Sequence, residues 1–493
     1  MKRFLWLGFV LFLYLMCTGC GDTFRPIIIP NPPTFPNPAA AHTVVSINDN
    51  GTVVRGSAMS IDVSGDSDMS NIDVGFRPVH AVQQNASEVL VVNQAVPGTT
   101  ANCEANPVNV CPSITKLNFS GTTINSTNTI SLPPNSEPSF VAIAPLDTWA
   151  YVTLPSYVPD PVKFPDVVVP SVGVVNTVSN NLFAPPTPVG KNPVAIAVTP
   201  DKSKLYVANQ GDGTISAFNT NAGNLSSRTI TGSLTYPPIW LIARTDSQRV
   251  YVLEQTSGTL ASIDTTSTAG PDFLTESTIS VPGATTMTYD PNLNRLYIPG
   301  GPEMEIVDVS QSVPSVLGGG PIPTCDQAPQ SANCIPTAAT SSRGSTDPCS
   351  LTSAQTLTVA AVTALPDGFQ AYVGSYYKDA NDNICPQVTV IDAGSYAVGS
   401  SIAVPGFPDA TVVGSTYYVP VCATTRFRFM MAAGGDSSRA YLASCDGGNV
   451  NIIDTSSDTY IENIPAPASS SRSPIPPNPL NPPQNPVFLI AGP

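Results

Sequence analysis

Charge and histidine are the scarcest features of this sequence. Of its 493 residues only 11% are Asp, Glu, Lys or Arg and two are His, against roughly 25% charged residues in ordinary globular chains. Lys, Arg, Glu and Leu are few where Val, Thr, Ser, Asn and Pro abound, a balance that disfavours helices and suits strands and turns. With 20 Lys+Arg against 35 Asp+Glu the formal net charge is −15, so nucleic acid is excluded as a partner. The N-terminal apolar run, Phe4 to Met16, is thirteen residues long, short of the roughly 20 that span a bilayer. At 42% hydrophobic the chain can bury a large core, which excludes a disordered protein.

Motifs that carry chemistry are also missing. The sequence has no Cys-x-x-Cys-His, His-Glu-x-x-His, Gly-x-Ser-x-Gly, Walker or dinucleotide fingerprint. With His42 and His80 the only histidines, Ser-His-Asp or Cys-His machinery has just two residues to run through. Gly65-Asp-Ser67 and Gly435-Asp-Ser437 share a tripeptide with hydrolases but fit strand-connecting turns. Calcium is the one metal worth weighing, because Asp379-Ala-Asn381-Asp-Asn383 and Asn48-Asp-Asn50-Gly51 alternate oxygen ligands. Neither pattern is complete, and Asn and Asp are common in turns anyway, so no metal site and no cofactor is expected.

What is present begins with a targeting segment. Lys2 and Arg3 precede the apolar run, which ends in Met16-Cys17-Thr18-Gly19-Cys20. This resembles the lipobox of bacterial lipoproteins, with Cys17 departing from the usual aliphatic residue. The resemblance implies a signal peptide over 1–19, lipidation of Cys20, and a membrane lipoprotein of the bacterial cell envelope facing periplasm or cell surface. A proline-rich spacer, 20–42, would hold the body off the membrane, and a second proline-rich segment covers 469–485.

Export also changes the reading of cysteine. Without Cys17, and with Cys20 assigned to lipid, eight cysteines remain: Cys103, Cys111, Cys325, Cys334, Cys349, Cys385, Cys422 and Cys445. An even set in an oxidising compartment predicts four disulfides. Eight cysteines allow 105 pairings; the close pairs Cys103/Cys111 and Cys325/Cys334 are the simplest.

An internal repeat occupies the body, 43–468. Asn192-Pro-Val-Ala-Ile-Ala-Val198, Lys204-Leu-Tyr-Val-Ala-Asn209 and Gly213-Thr-Ile-Ser-Ala-Phe218 read as three strands joined by tight turns. The second strand recurs with Tyr in register at 151, 206, 251, 297, 372 and 441, and third strands end in Asp at 264, 308, 392 and 454. The minimum unit of about 45 residues is a propeller period. These residues resemble the YVTN family of β-propeller repeats, in the lactonase-like superfamily, whose usual blade number is seven. Asn485-Pro-Val-Phe-Leu-Ile-Ala491 repeats the first-strand pattern without a successor, while 56–62 and 70–74 look like later strands without a first. Both ends therefore share one blade, with 486–493 as the closing strand. The expectation is an all-β propeller of four-stranded antiparallel blades, eight by repeat count, with seven as the alternative.

Insertions at 95–112, 155–169, 310–355, 376–386 and 406–427 all fall in connections that open on one face, and so do the eight cysteines. His80 lies on an innermost strand that can face the central channel; an interior hydrogen-bonded histidine is the ordinary expectation. Trp149 and Trp240 are expected to pack between blades. The functional expectation is a monomeric, lipid-anchored scaffold binding an envelope protein, peptide or glycan through the elaborated face. The alternative is a lactonase-like hydrolase at the central channel, for which no catalytic residue can be assigned. An apolar or plugged channel favours the scaffold, and converging ionisable groups favour the enzyme.

Overall fold

Strand by strand, the repeat folds as its hydrophobic alternation requires. The computed structural model describes residues 42–50, 55–95, 111–338, 347–349, 356–409, 422, 425–466 and 485–492. Eight antiparallel sheets form from them, each built inner strand first and outer strand last. Blade four is the simplest, with strands Pro193–Val198, Lys204–Asn209, Thr214–Asn221 and Asn224–Arg228 in that order. The inner strands lie beside one another around the ring, so the eight sheets form a β-propeller.

Blade one is shared between the chain ends. Asn485–Ala491 is its inner strand and pairs antiparallel with Thr43–Asp49, which is followed by Ser57–Asp62 and Ser67–Asp73. The first of these N-terminal strands carries the sequence Thr-Val-Val-Ser-Ile-Asn-Asp and lies outside the two later strands expected from sequence. The closing strand starts at Asn485. Residues 1–41 and 467–484, with Cys20 and nearly all of the second proline-rich segment, lie outside the described residues.

Apolar clusters fill the clefts between neighbouring blades: Leu90, Ile114 and Val152 between blades two and three, Ala208, Val252 and Ile263 between four and five, Met59, Tyr441 and Ile452 between eight and one. The six repeated tyrosines are each at most 1% exposed. Several reach across to the next blade. Tyr206 donates to Asp272 Oδ2 at 2.7 Å, Tyr251 to the Val309 carbonyl at 3.2 Å, and Tyr372 to Asp458 Oδ1 at 2.6 Å. Asp272 is itself buried and paired with Lys204 at 2.8 Å and Arg228 at 2.9 Å. Burial would raise its pKa, but the bonds from Arg228, Lys204 and Tyr206 win and hold it below the carboxylate range.

The repeated aspartates are turn caps. Asp264, Asp308, Asp392 and Asp454 each accept the backbone N–H two residues on, at 2.8–3.0 Å. Asp66 and Ser437 have φ of 48° and 62° in their turns, which is the role of both Gly-Asp-Ser tripeptides. Asp379 likewise accepts from the N–H groups of Asn381 and Asn383 at 2.8 and 2.9 Å, and Asn48 bonds Ser46 and Ser57.

Removing the Tyr372 hydroxyl deletes a bond to a carboxylate, so Tyr372→Phe should lose about 1.5–3 kcal/mol of unfolding free energy in urea. The Tyr441 hydroxyl is buried without a hydrogen bond among the described residues, so Tyr441→Phe should be neutral or stabilising in the same titration.

Candidate functional site

The two faces of the ring differ in what covers them. First-to-second turns, such as Thr199–Ser203, are short Asx turns on the plain face. The opposite face carries the insertions and the disulfides. Cys325 pairs with Cys334, Cys349 with Cys385, and Cys422 with Cys445. Cys111 is disulfide-bonded as well, and Cys103 lies outside the described residues. The insertion expected at 376–386 is an extended hairpin, Gln370–Lys378 with Asn383–Asp392. Cys385 therefore sits in a strand rather than in a loop. Within 310–355, Ser315–Val316 and Ile322–Pro323 supply the outer position of blade six.

The channel is filled at this face by aromatic side chains. His80 stacks on Phe140 with ring centroids 3.6 Å apart and lies 4.5 Å from Phe488. Phe140 meets Trp240 edge-on at 5.1 Å, Trp240 meets Phe427 at 5.5 Å, and Phe427 returns to Phe488 at 5.4 Å. Five rings from blades one, two, three and five and from the segment before blade eight thus form a closed cycle. Trp240 belongs to this cycle; the expected inter-blade role holds for Trp149, which packs on Phe183 at 4.6 Å and against Gly223 of the next blade.

Backbone geometry places these rings. Inner strands carry Pro at their first or second residue, at 78, 193, 238 and 486, and in each a register shift follows at the next residue. Proline has no N–H to give to the ladder, and the bulge re-aims the residue two places on toward the axis. That residue is His80, Ala195, Trp240 or Phe488. Phe140, two residues after Pro138, keeps the same spacing. The signal was present in the sequence as an aromatic two residues after the strand-opening proline. Phe427, on a segment without the motif, had no such signal.

Arg426 lies on the cycle. Its guanidinium sits over the rings of Trp240 at 4.9 Å and Phe427 at 5.4 Å. It donates to the Val194 carbonyl at 2.8 Å and to the Ile239 carbonyl, the two residues that the bulges displace from the ladder. Surrounding protein pulls its pKa down to about 10. His80 is held well below 6.5, first by burial and then by the charge of Arg426, so it stays neutral, with Nδ1 facing the Val141 N–H at 3.5 Å. Neighbouring Arg428 binds Asp446 at 2.5 Å and Asp409 at 2.6 Å, and Asp409 also pairs with Lys378. Burial opposes the Arg428 charge, yet these aspartates raise its pKa.

Two carboxyls are pushed up to about 7 by burial, Glu254 and Glu305. They lie on a second and a third strand, and among the described residues no hydrogen bond joins either to His80 or Arg426. No group of three or more His, Cys, Asp or Glu that could hold a metal occurs among the described residues.

Residues 167–289 match the family model described as Lactonase, 7-bladed beta-propeller. Over that stretch the chain is similar to the lactonase propellers. The match runs from the third strand of blade three to the inner strand of blade six, within a ring of eight blades rather than seven. Among solved structures, dihydro-heme d1 dehydrogenase NirN in complex with DHE is similar over 88% of this chain and 75% of its own, with TM-score 0.54 and 9% identity. Apo AztD from Citrobacter koseri is similar over 91% of this chain and 97% of its own, with TM-score 0.51 and 8% identity. At such identities the likeness is one of fold. A comparison with curated proteins finds no match.

The depressed His80 pKa has a stability consequence. The unfolded chain takes up a proton near 6.5 that the folded channel refuses, so stability is fully present above that pH and falls below it. The slope is about 1.4 kcal/mol per pH unit. Urea unfolding of His80→Phe should lack this component, and equal pH slopes for variant and wild type would refute the neutral buried state.

Proposed function

We propose that the protein is an extracytoplasmic, lipid-anchored scaffold that binds a protein or peptide partner through its elaborated, disulfide-stapled face. The observation that carries this reading is the filled channel. Five packed rings occupy the axis where a channel enzyme needs room for substrate, and the one histidine among them is buried and neutral. Rigid scaffolds with loops enlarged on one side commonly bind through those loops.

Chain geometry supports an orientation. Thr43 begins a second strand, opposite the end of the closing strand, with Val44 paired to Ala491. That end of the blade is the plain face. A tether attached at Cys20 would reach the ring there and turn the decorated face away from the membrane. The decorated face also displays an apolar finger: Val162 is 90% exposed and Phe164 59%, flanked by exposed Val167 and Val168. Its base is closed by the Val169 N–H on the Tyr157 carbonyl at 2.8 Å, so the finger can be exchanged without opening the blade.

Replacing 160–168 with a Gly-Ser linker should leave the melting temperature unchanged and reduce co-purification of envelope proteins at least several-fold. Identical captured sets from the two proteins would count against the finger and the face. Turnover of gluconolactone by the purified chain, lost in His80→Phe, would overturn the scaffold reading in favour of the hydrolase.

A further inference from the structure

We infer that the channel mouth is a receptor for a free peptide C-terminus, with Arg426 holding the terminal carboxylate; this rests on the scaffold reading above. Beside the aromatic cycle lies a cavity of about 230 Å³, lined by Arg426 together with Pro299, Val359, Ala360, Tyr376 and Phe429. It opens on the elaborated face, between the inner ends of blades six, seven and eight. Its volume is below the roughly 300–1,000 Å³ of sites for drug-sized ligands, which suits one terminal residue with its carboxylate.

The charge balance identifies the ligand. Arg228, Arg244, Arg249, Arg428 and Arg439 each pair with an aspartate. Arg426 has no carboxylate partner among the described residues. Two of its donors are taken by the Val194 and Ile239 carbonyls, and its faces are covered by Trp240 and Phe427. Of the five N–H groups a guanidinium offers, those on the remaining edge are uncommitted, and Arg426 is exposed at the channel mouth. The open edge of the guanidinium faces solvent without a counter-charge among the described residues, and a carboxylate from outside can take it through paired, charge-assisted hydrogen bonds.

The walls narrow the choice to a peptide end. Pro299, Val359, Ala360 and the Phe429 ring, which stacks on Tyr376 at 4.9 Å, form one apolar wall, Thr285 and Thr358 add polar groups, and Arg426 is the lining cation without a carboxylate among the described residues. That arrangement fits a small apolar C-terminal side chain next to its own carboxylate better than a polyhydroxylated sugar acid. Capture of a terminal carboxylate is an established mode of peptide recognition. Arg428 borders the same cavity but is satisfied by Asp446 and Asp409, which leaves one anion site.

Calorimetric titration of the mature chain with Gly-Gly-Ala-Val and with the same peptide amidated at its C-terminus tests the assignment. The free acid should bind at least tenfold more tightly than the amide. Arg426→Gln should abolish that preference. Because Arg426 also holds the aromatic cycle, Ala360→Leu serves as a second variant: it fills the slot, leaves the guanidinium in place, and should weaken the free acid at least tenfold. Equal affinity for acid and amide, no binding of either, or tighter binding of glucuronate than of the peptide would each overturn the assignment. If the peptide acid fails while envelope proteins are still captured by the intact face and lost with the 160–168 exchange, the scaffold stands and only the C-terminal receptor falls.

Discussion

One strand pairing holds the ring together. A propeller blade exposes an apolar surface on each side, and each surface is buried only when the next blade is present. Seven blades are local in the chain and the eighth is not: the pairing of Asn485–Ala491 with Thr43–Asp49 joins residues from opposite ends of the sequence. Without it, the Val44, Met59 and Ile61 side of blade one and the Tyr441 and Ile452 side of blade eight would lose part of their common cluster with Leu489. The repeated tyrosines then pack between blades, and the hydroxyls of Tyr206, Tyr251 and Tyr372 bond to the neighbour.

Closing eight blades rather than seven has a consequence at the axis. The inner strands stand around a channel that something must fill, and here it is filled from the strands themselves. Bulges after the opening prolines turn His80, Trp240 and Phe488 inward, and Phe427 with Arg426 enters from the long connection before blade eight. The freed Val194 and Ile239 carbonyls are capped by that same arginine. The plug and the anion site therefore have one origin. Disulfide Cys422–Cys445 and the Lys378–Asp409–Arg428–Asp446 ion cluster hold this connection in place. A charge cluster of this sort has more value for position than for net stability.

The repeat was readable because its determinants are local. A Tyr at fixed phase in six second strands, an Asp at the end of several third strands and a proline at the start of several first strands report the strand, turn and strand start within a few residues. The sharing of a blade by both termini was also legible, since an unpaired first-strand motif at 485–491 has to find an edge. The first N-terminal strand, Thr43–Asp49, was harder to see because it lacks the Tyr that marks six of the other second strands. Trp240 could be placed on a strand but not on a side, because the bulge after Pro238 shifts the alternation by one residue and sends it to the axis.

By itself, then, the sequence determined an all-β propeller, eight blades by repeat count with seven still open, short turns on one face and cysteine-bearing insertions on the other. These follow from periodicity and turn chemistry, which act over a few residues. Only the tertiary structure decided which cysteines meet, what fills the axis, and that Arg426 stands there without a carboxylate among the described residues while Arg428, two residues on, has two. The reason is physical: disulfide partners, aromatic contacts and counter-charges depend on residues from blades far apart in the chain, brought together only when the ring closes.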